Sequence, residues 1–153
     1  YLIPGNLYGP RDHFDLHDAH VIPALIRKFI TARDAGESSV PCWGTGSATR
    51  EFLYVEDCAE GILRATEAYS GGAPINLGSG VEVSIRTLAE TIARLTGYTG
   101  ALAWDPRQPD GQPRRALDVS QARDLFGFAA TVGLEEGLRR TLDWVTEHGY
   151  EAG

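Results

Sequence analysis

Apolar residues change period repeatedly along the chain, and each change marks an element. Tyr1 to Leu7 is a mostly apolar run that reads as a short buried strand, with no turn or cap before it. Gly9-Pro10 punctuates it. Arg11 to Ala19 is charged and aperiodic, so it reads as a loop. Pro23 suits a first helical turn. From there Leu25, Ile26, Phe29 and Ile30 share a face while Arg27, Lys28 and Thr31 point away, which predicts a helix closed by Gly36. Val40 to Trp43 and Glu51 to Val55 read as two short strands around the glycine-rich turn Gly44-Thr45-Gly46-Ser47.

Glu56 or Asp57 is placed to cap a helix running to about Tyr69, with Ala59, Ile62, Leu63 and Thr66 expected inward. Ala73 to Leu77 reads as a strand and Gly78-Ser79-Gly80 as a turn. Ser84 is placed to cap a helix over Ile85 to Thr96, on which Leu88, Ile92 and Leu95 fall in register. A strand is expected over Ala101 to Trp104, a polar loop over Pro106 to Pro113, a short helix over Ser120 to Leu125 and an amphipathic helix over Leu134 to His148. This alternation of strands and helices predicts an α/β fold.

Length and composition add little, because 153 residues at 42% hydrophobic suit one ordinary globular domain. Charge adds more. A net charge of −7 argues against nucleic acid or an anionic membrane as the main partner, and leaves an anionic ligand only a local basic pocket. No stretch approaches the roughly 18 apolar residues of a membrane helix. Cys42 and Cys58 are too few for a disulfide framework and lack zinc spacing, so reduced thiols and a cytoplasmic location are expected. The basic residues are thirteen arginines and one lysine, Lys28.

The charged loop carries His13, His17 and His20 near several aspartates. A tetrahedral metal site is not legible in a loop, so His13 and His17 are expected to be solvated and no metal site is assigned. His20 stands just before a helix, and histidine can act as acid or base near neutral pH. Lys28 and Arg50 are cations, and arginine offers an anion a bidentate fork. Trp43 offers a flat aromatic face, and Asp110 is a hydrogen-bond acceptor. By residue type alone these are more often a capping histidine, surface ion pairs and a core aromatic.

Six segments taken together change that balance: Asn6 to Pro10, His20 to Pro23, Trp43 to Gly46, Arg50 to Asp57, Asn76 to Gly80 and Pro109 to Arg114. They resemble the extended short-chain dehydrogenase/reductase family that acts on nucleotide sugars. His20-Val21-Ile22-Pro23, Trp43-Gly44 and Pro109-Asp110-Gly111 narrow the resemblance to its GDP-L-fucose synthase branch. That branch 3,5-epimerises GDP-4-keto-6-deoxy-D-mannose and then reduces it at C4 with NADPH. The resemblance implies the C-terminal part of an extended Rossmann-fold enzyme. Rossmann elements would lie at roughly 1–9 and 55–96, interleaved with a substrate lobe at roughly 18–54 and 98–130.

It also implies roles. His20 is the epimerisation acid. Pro4, Gly5, Asn6, Leu7 and His20 contact NADPH, and Lys28, Trp43, Arg50 and Asp110 hold the GDP-sugar. Arg114 and Arg115 are weaker candidates for the same anion. The family's partner cysteine matches neither Cys42 nor Cys58.

Three positions depart from the pattern. Gly5 replaces the usual threonine, Arg11 a common histidine and His13 an asparagine. The family's Gly-x-x-Gly-x-x-Gly turn is absent. Its Tyr-x-x-x-Lys pair is absent too, since Ala24 stands four residues before Lys28. The chain is therefore expected to be a fragment that does not reduce a ketone alone, with a homodimer forming through the missing half. The alternatives are another nucleotide-sugar epimerase, dehydratase or reductase, or a non-catalytic nucleotide-sugar binding module.

Overall fold

The computed structural model describes residues 1–150. In chain order its elements are β1 (Leu2–Pro4), β2 (Asn6–Tyr8), α1 (Val21–Asp34), β3 (Ser39–Trp43), β4 (Thr49–Tyr54), α2 (Val55–Ala68), β5 (Ile75–Leu77), β6 (Glu82–Ser84), α3 (Ile85–Thr96), β7 (Ala101–Asp105), β8 (Arg114–Arg115), α4 (Ser120–Phe126) and α5 (Leu134–His148). The expected α/β class holds. β1 pairs with β5, β2 with β4 and β3 with β7, each in parallel. Parallel partners need long crossovers, and the helices supply them.

The opening run is not one buried strand. It breaks at Gly5, whose N–H donates to the Leu77 carbonyl at 2.8 Å before the chain leaves β5 for β4. β1 and β2 are each paired along one edge only among the described residues. Ile3 and Leu7 are accordingly 46% and 38% exposed. The strands flanking Gly44 to Ser47 also do not pair with each other, because β3 joins β7 while β4 joins β2, β6 and β8.

Helix α1 buries Ile22, Leu25, Ile26 and Phe29 as its period predicts. It starts at Val21, which puts Pro23 in the first turn, where a missing N–H leaves no bond unmade. Helix α3 is capped as expected: Ser84 Oγ accepts from the Thr87 N–H at 3.0 Å, and Gly97 ends the helix at φ 75°.

Helix α2 departs from expectation in two ways. It buries Asp57, Cys58, Gly61 and Ala65, while Ala59 and Thr66 are exposed and Ile62 and Leu63 are 47% and 60% exposed. The helix docks through its smallest residues. A Cβ at Gly61 would stand 3.1 Å from the Phe128 ring and 3.2 Å from Leu77, so a larger side chain would force the helix away. Neither Glu56 nor Asp57 caps it. Asp57 instead lies buried and accepts from the Thr131 N–H and hydroxyl and the Val132 N–H, at 2.9–3.1 Å. That carboxylate ties α2 to the segment leading into α5.

Two short strands, β6 and β8, follow the stretches read as a turn and a loop, and both pair with β4. The apolar interior is divided. One cluster joins α1, α3 and α5 through Ile26, Phe29, Leu88, Ile92 and Leu138. The other packs Leu53, Ile75 and Leu77 against Ala122, Phe126 and Phe128.

Candidate functional site

The passage from β1 into β2 forms the floor of an open cleft of about 760 Å³, a volume suited to a small organic ligand. Pro4, Gly5, Asn6 and Leu7 all border it. The start of α1 makes one wall with His20, and Trp43 and Arg50 make the other. The loop carrying Pro109 and Asp110 rims it, with Arg115 of β8 beside it.

The structure thus gathers every expected site residue but one. Lys28 does not border the cleft. It lies eight residues beyond His20, about 12 Å further along the helix axis at 1.5 Å per residue. Burial pushes the Cys42 thiol up, against the pull of the Lys28 and Arg86 charges. Burial likewise pushes Cys58 up.

His20 occupies the N-cap position of α1, where its backbone carbonyl accepts from the Ala24 N–H at 3.0 Å. Its side chain caps nothing and is exposed at the cleft wall. Trp43 ends β3 with 67% of its surface open. Such an exposed indole beside a cleft provides a stacking face. Arg50, half-buried on β4, donates to its neighbour's carbonyl, Thr49 O, at 2.7 Å.

Two expected contacts are already committed within the protein. Asp110 Oδ1 accepts from the N–H groups of Thr45 (2.6 Å) and Gly46 (3.3 Å), and Oδ2 from the Thr45 hydroxyl (2.7 Å). Those bonds hold its carboxyl below the usual range. Asp110 therefore fastens the turn at Gly44 to Gly46, and its Oδ2 keeps room to accept one further hydrogen bond. A Cβ at Gly44, whose φ is 74°, would fall 2.2 Å from Asp110 Oδ1, so this turn requires glycine. Asn6 Nδ2 donates to the Glu51 carbonyl at 2.8 Å, leaving mainly backbone for a ligand. Arg114 grips Glu82 with Nε at 2.9 Å and Nη2 at 2.5 Å, whereas Arg115 borders the cleft.

Two acidic residues were not singled out from sequence. Asp12 lies in the loop at the cleft edge. Its Oδ1 accepts from the His13 N–H at 2.8 Å, and its Oδ2 is buried with no partner among the described residues. Burial pushes its carboxyl up, against the pull of that hydrogen bond and of His20 and His13. Its signal was only an acidic residue between a strand end and His20. Glu51, 2% exposed, accepts from the Gly80 N–H (3.1 Å) and the Leu117 N–H (2.9 Å). A Cβ at Gly78 would sit 1.9 Å from that carboxylate, which accounts for the turn Gly78-Ser79-Gly80.

His13 and His17 are exposed, and His13 Nε2 stands 2.5 Å from Asp18 Oδ1. Among the described residues no three His, Cys, Asp or Glu side chains are grouped to hold a metal ion. No helix among them is long and apolar enough to cross a membrane.

Residues 1–78 match the model of the NAD dependent epimerase/dehydratase family. GDP-L-fucose synthase 1 of Arabidopsis thaliana is 46% identical over 142 residues, covering 93% of this chain and 44% of the plant protein. GDP-L-fucose synthase of Escherichia coli is 40% identical over 96% of this chain and 48% of its own length. A GDP-L-fucose synthetase from Naegleria fowleri, solved bound to NADP, superposes with a TM-score of 0.91 at 32% identity, over 99% of this chain and 47% of that one. The chain spans about half the length of the curated relatives it matches.

Proposed function

The chain belongs to the NAD dependent epimerase/dehydratase family, and on that premise we propose that it serves the GDP-L-fucose synthase reaction. That reaction is 3,5-epimerisation of GDP-4-keto-6-deoxy-D-mannose followed by NADPH-dependent reduction at C4. The observation that carries the reading is the convergence of Pro4 to Leu7, His20, Trp43 and Arg50 on one cleft. The names of the relatives supply the sugar and the base.

Each side chain has a task in that cleft. Epimerisation beside a ketone removes a proton from one face of the sugar and returns one to the other. His20, with no intramolecular cap to hold it, donates the returning proton. Arg50 neutralises the diphosphate, and Trp43 covers the sugar or base with its open face. NADPH, when bound, supplies the hydride for the reduction. The floor at Pro4 to Leu7 is the segment that the resemblance assigns to its nicotinamide side. In this reading β3 and β7 belong to the substrate lobe, and β1, β5 and α2 to the dinucleotide layer.

Isothermal titration of the full-length protein with GDP, UDP and dTDP tests the base, and GDP is expected to bind tightest. A preference for UDP or dTDP sinks the reading. In D₂O, His20→Ala is expected to slow proton exchange at the sugar carbons by about 10² or more while GDP affinity is kept. Unchanged exchange would point to a binding module instead.

A further inference from the structure

Positive charge on this chain is almost all arginine, and its placement is uneven. Eight of the thirteen arginines stand within ion-pair distance of an aspartate or glutamate. Two more lie over aromatic rings, Arg27 on Tyr150 and Arg86 on Trp104, and each donates to a backbone carbonyl. Arg11, Arg50 and Arg115 are left with neither an acidic nor an aromatic partner among the described residues, and all three border the cleft, Arg11 where it adjoins a second hollow beside Asp12 and Arg27. In a chain of net charge −7 this is no side effect of a basic surface. Nor do the cleft's own acids answer them. Asp110 is held by the turn at Thr45 and Gly46, and Asp12 makes no ion pair with Arg11 among the described residues.

Arg11 adds an independent observation. Its φ is 65°, and it is the only non-glycine residue with positive φ among those described. An L-residue in that region is strained, and glycine occupies it freely. A residue kept in strain at a cleft edge directs attention to what its side chain does there.

We propose that Arg11 binds the diphosphate of the ligand, as the third arm of a cradle completed by Arg50 and Arg115. The proposal rests on the cleft being the nucleotide site described above, but not on which base or sugar the nucleotide carries. Three guanidinium forks around one cleft match the several non-bridging oxygens of a diphosphate better than the two oxygens of a carboxylate. The same group occurs in a nucleoside-diphosphate sugar and in a dinucleotide.

Two substitutions of Arg11 in the full-length protein test this. Both Arg11→Gly and Arg11→Asn remove the guanidinium, and Gly accepts the backbone conformation more freely than Asn. Each variant is titrated with GDP, NADPH and inorganic pyrophosphate at low and high salt, and its Tm is measured. Arg11→Gly is expected to raise the Tm and to weaken pyrophosphate binding about fivefold at low salt, with a smaller loss at high salt. Arg11→Asn is expected to weaken binding in the same direction. A parallel loss for GDP alone assigns the cradle to the nucleotide sugar, and a loss for NADPH alone assigns it to the dinucleotide. A higher Tm with all three affinities unchanged overturns the proposal and leaves Arg11 as a turn residue. Preference for UDP over GDP would defeat the reaction assigned above while leaving this result intact.

Discussion

Asp12 is an expensive residue where it stands. Burial raises its carboxyl above the ordinary value of 3.8, and one oxygen is sealed from solvent without a partner. Between the unfolded and folded values the native protein holds a proton that the unfolded chain has released. Stability therefore falls as pH rises through that interval, and the penalty is fully present at neutral pH. Asn keeps an oxygen to accept from the His13 N–H and carries no charge. Asp12→Asn is expected to raise the Tm at pH 7, with the gain fading as the pH is lowered toward 3.8. Equal gains at both ends of the range would exclude a buried charge as the cause. Arg11, next to it, is strained as well, so adjacent residues at the cleft edge are each held at a cost to folding. That cost is common where a site is built for a ligand and not for stability.

Among the elements, the join between β4 and the turn after β5 depends on one side chain. Glu51 satisfies the Gly80 and Leu117 N–H groups from inside the protein, and Glu51→Ala leaves both without an acceptor. A loss of about 2–4 kcal/mol is expected in urea denaturation. A loss under about 1 kcal/mol would mean that water replaces the carboxylate. This join also shows what a sequence can disclose. Regular patterns of large apolar residues were legible: α1, α3 and α5 appear where their period placed them, and Ser84 caps as its position suggested. Patterns of small residues were not. Gly61 and Ala65 carry little hydrophobic signal, yet they set which face of α2 packs, so Ile62 and Leu63 were assigned inward wrongly. The cleft was legible through His20, Trp43 and Arg50, which the resemblance picked out. The position of Lys28 beyond the cleft lining, the bonds of Asp110 to the turn and the backbone angle of Arg11 were hidden. They depend on helix direction, loop-to-loop bonds and a backbone angle, none of which has a signature in residue type.

The molecule as a whole is organised around two separate apolar interiors. Leu77 and Ile92 are fully buried in different ones. Replacing either by Ala is expected to cost about 2–5 kcal/mol. The double substitution should cost the sum to within about 0.5 kcal/mol, because the two sites share no packing neighbours. A large deviation from the sum would show that the two interiors are energetically coupled. The break at Gly5 gives this division a further meaning. The short span from Pro4 to Asn6 hands the backbone from Leu77 to β4, which contributes Leu53 to the interior of Leu77 and Phe52 and Tyr54 to the other. A ligand on the cleft floor would therefore rest on backbone that both interiors hold in place. Its binding is expected to stabilise the two together, so that ligand at saturation raises the Tm of the whole.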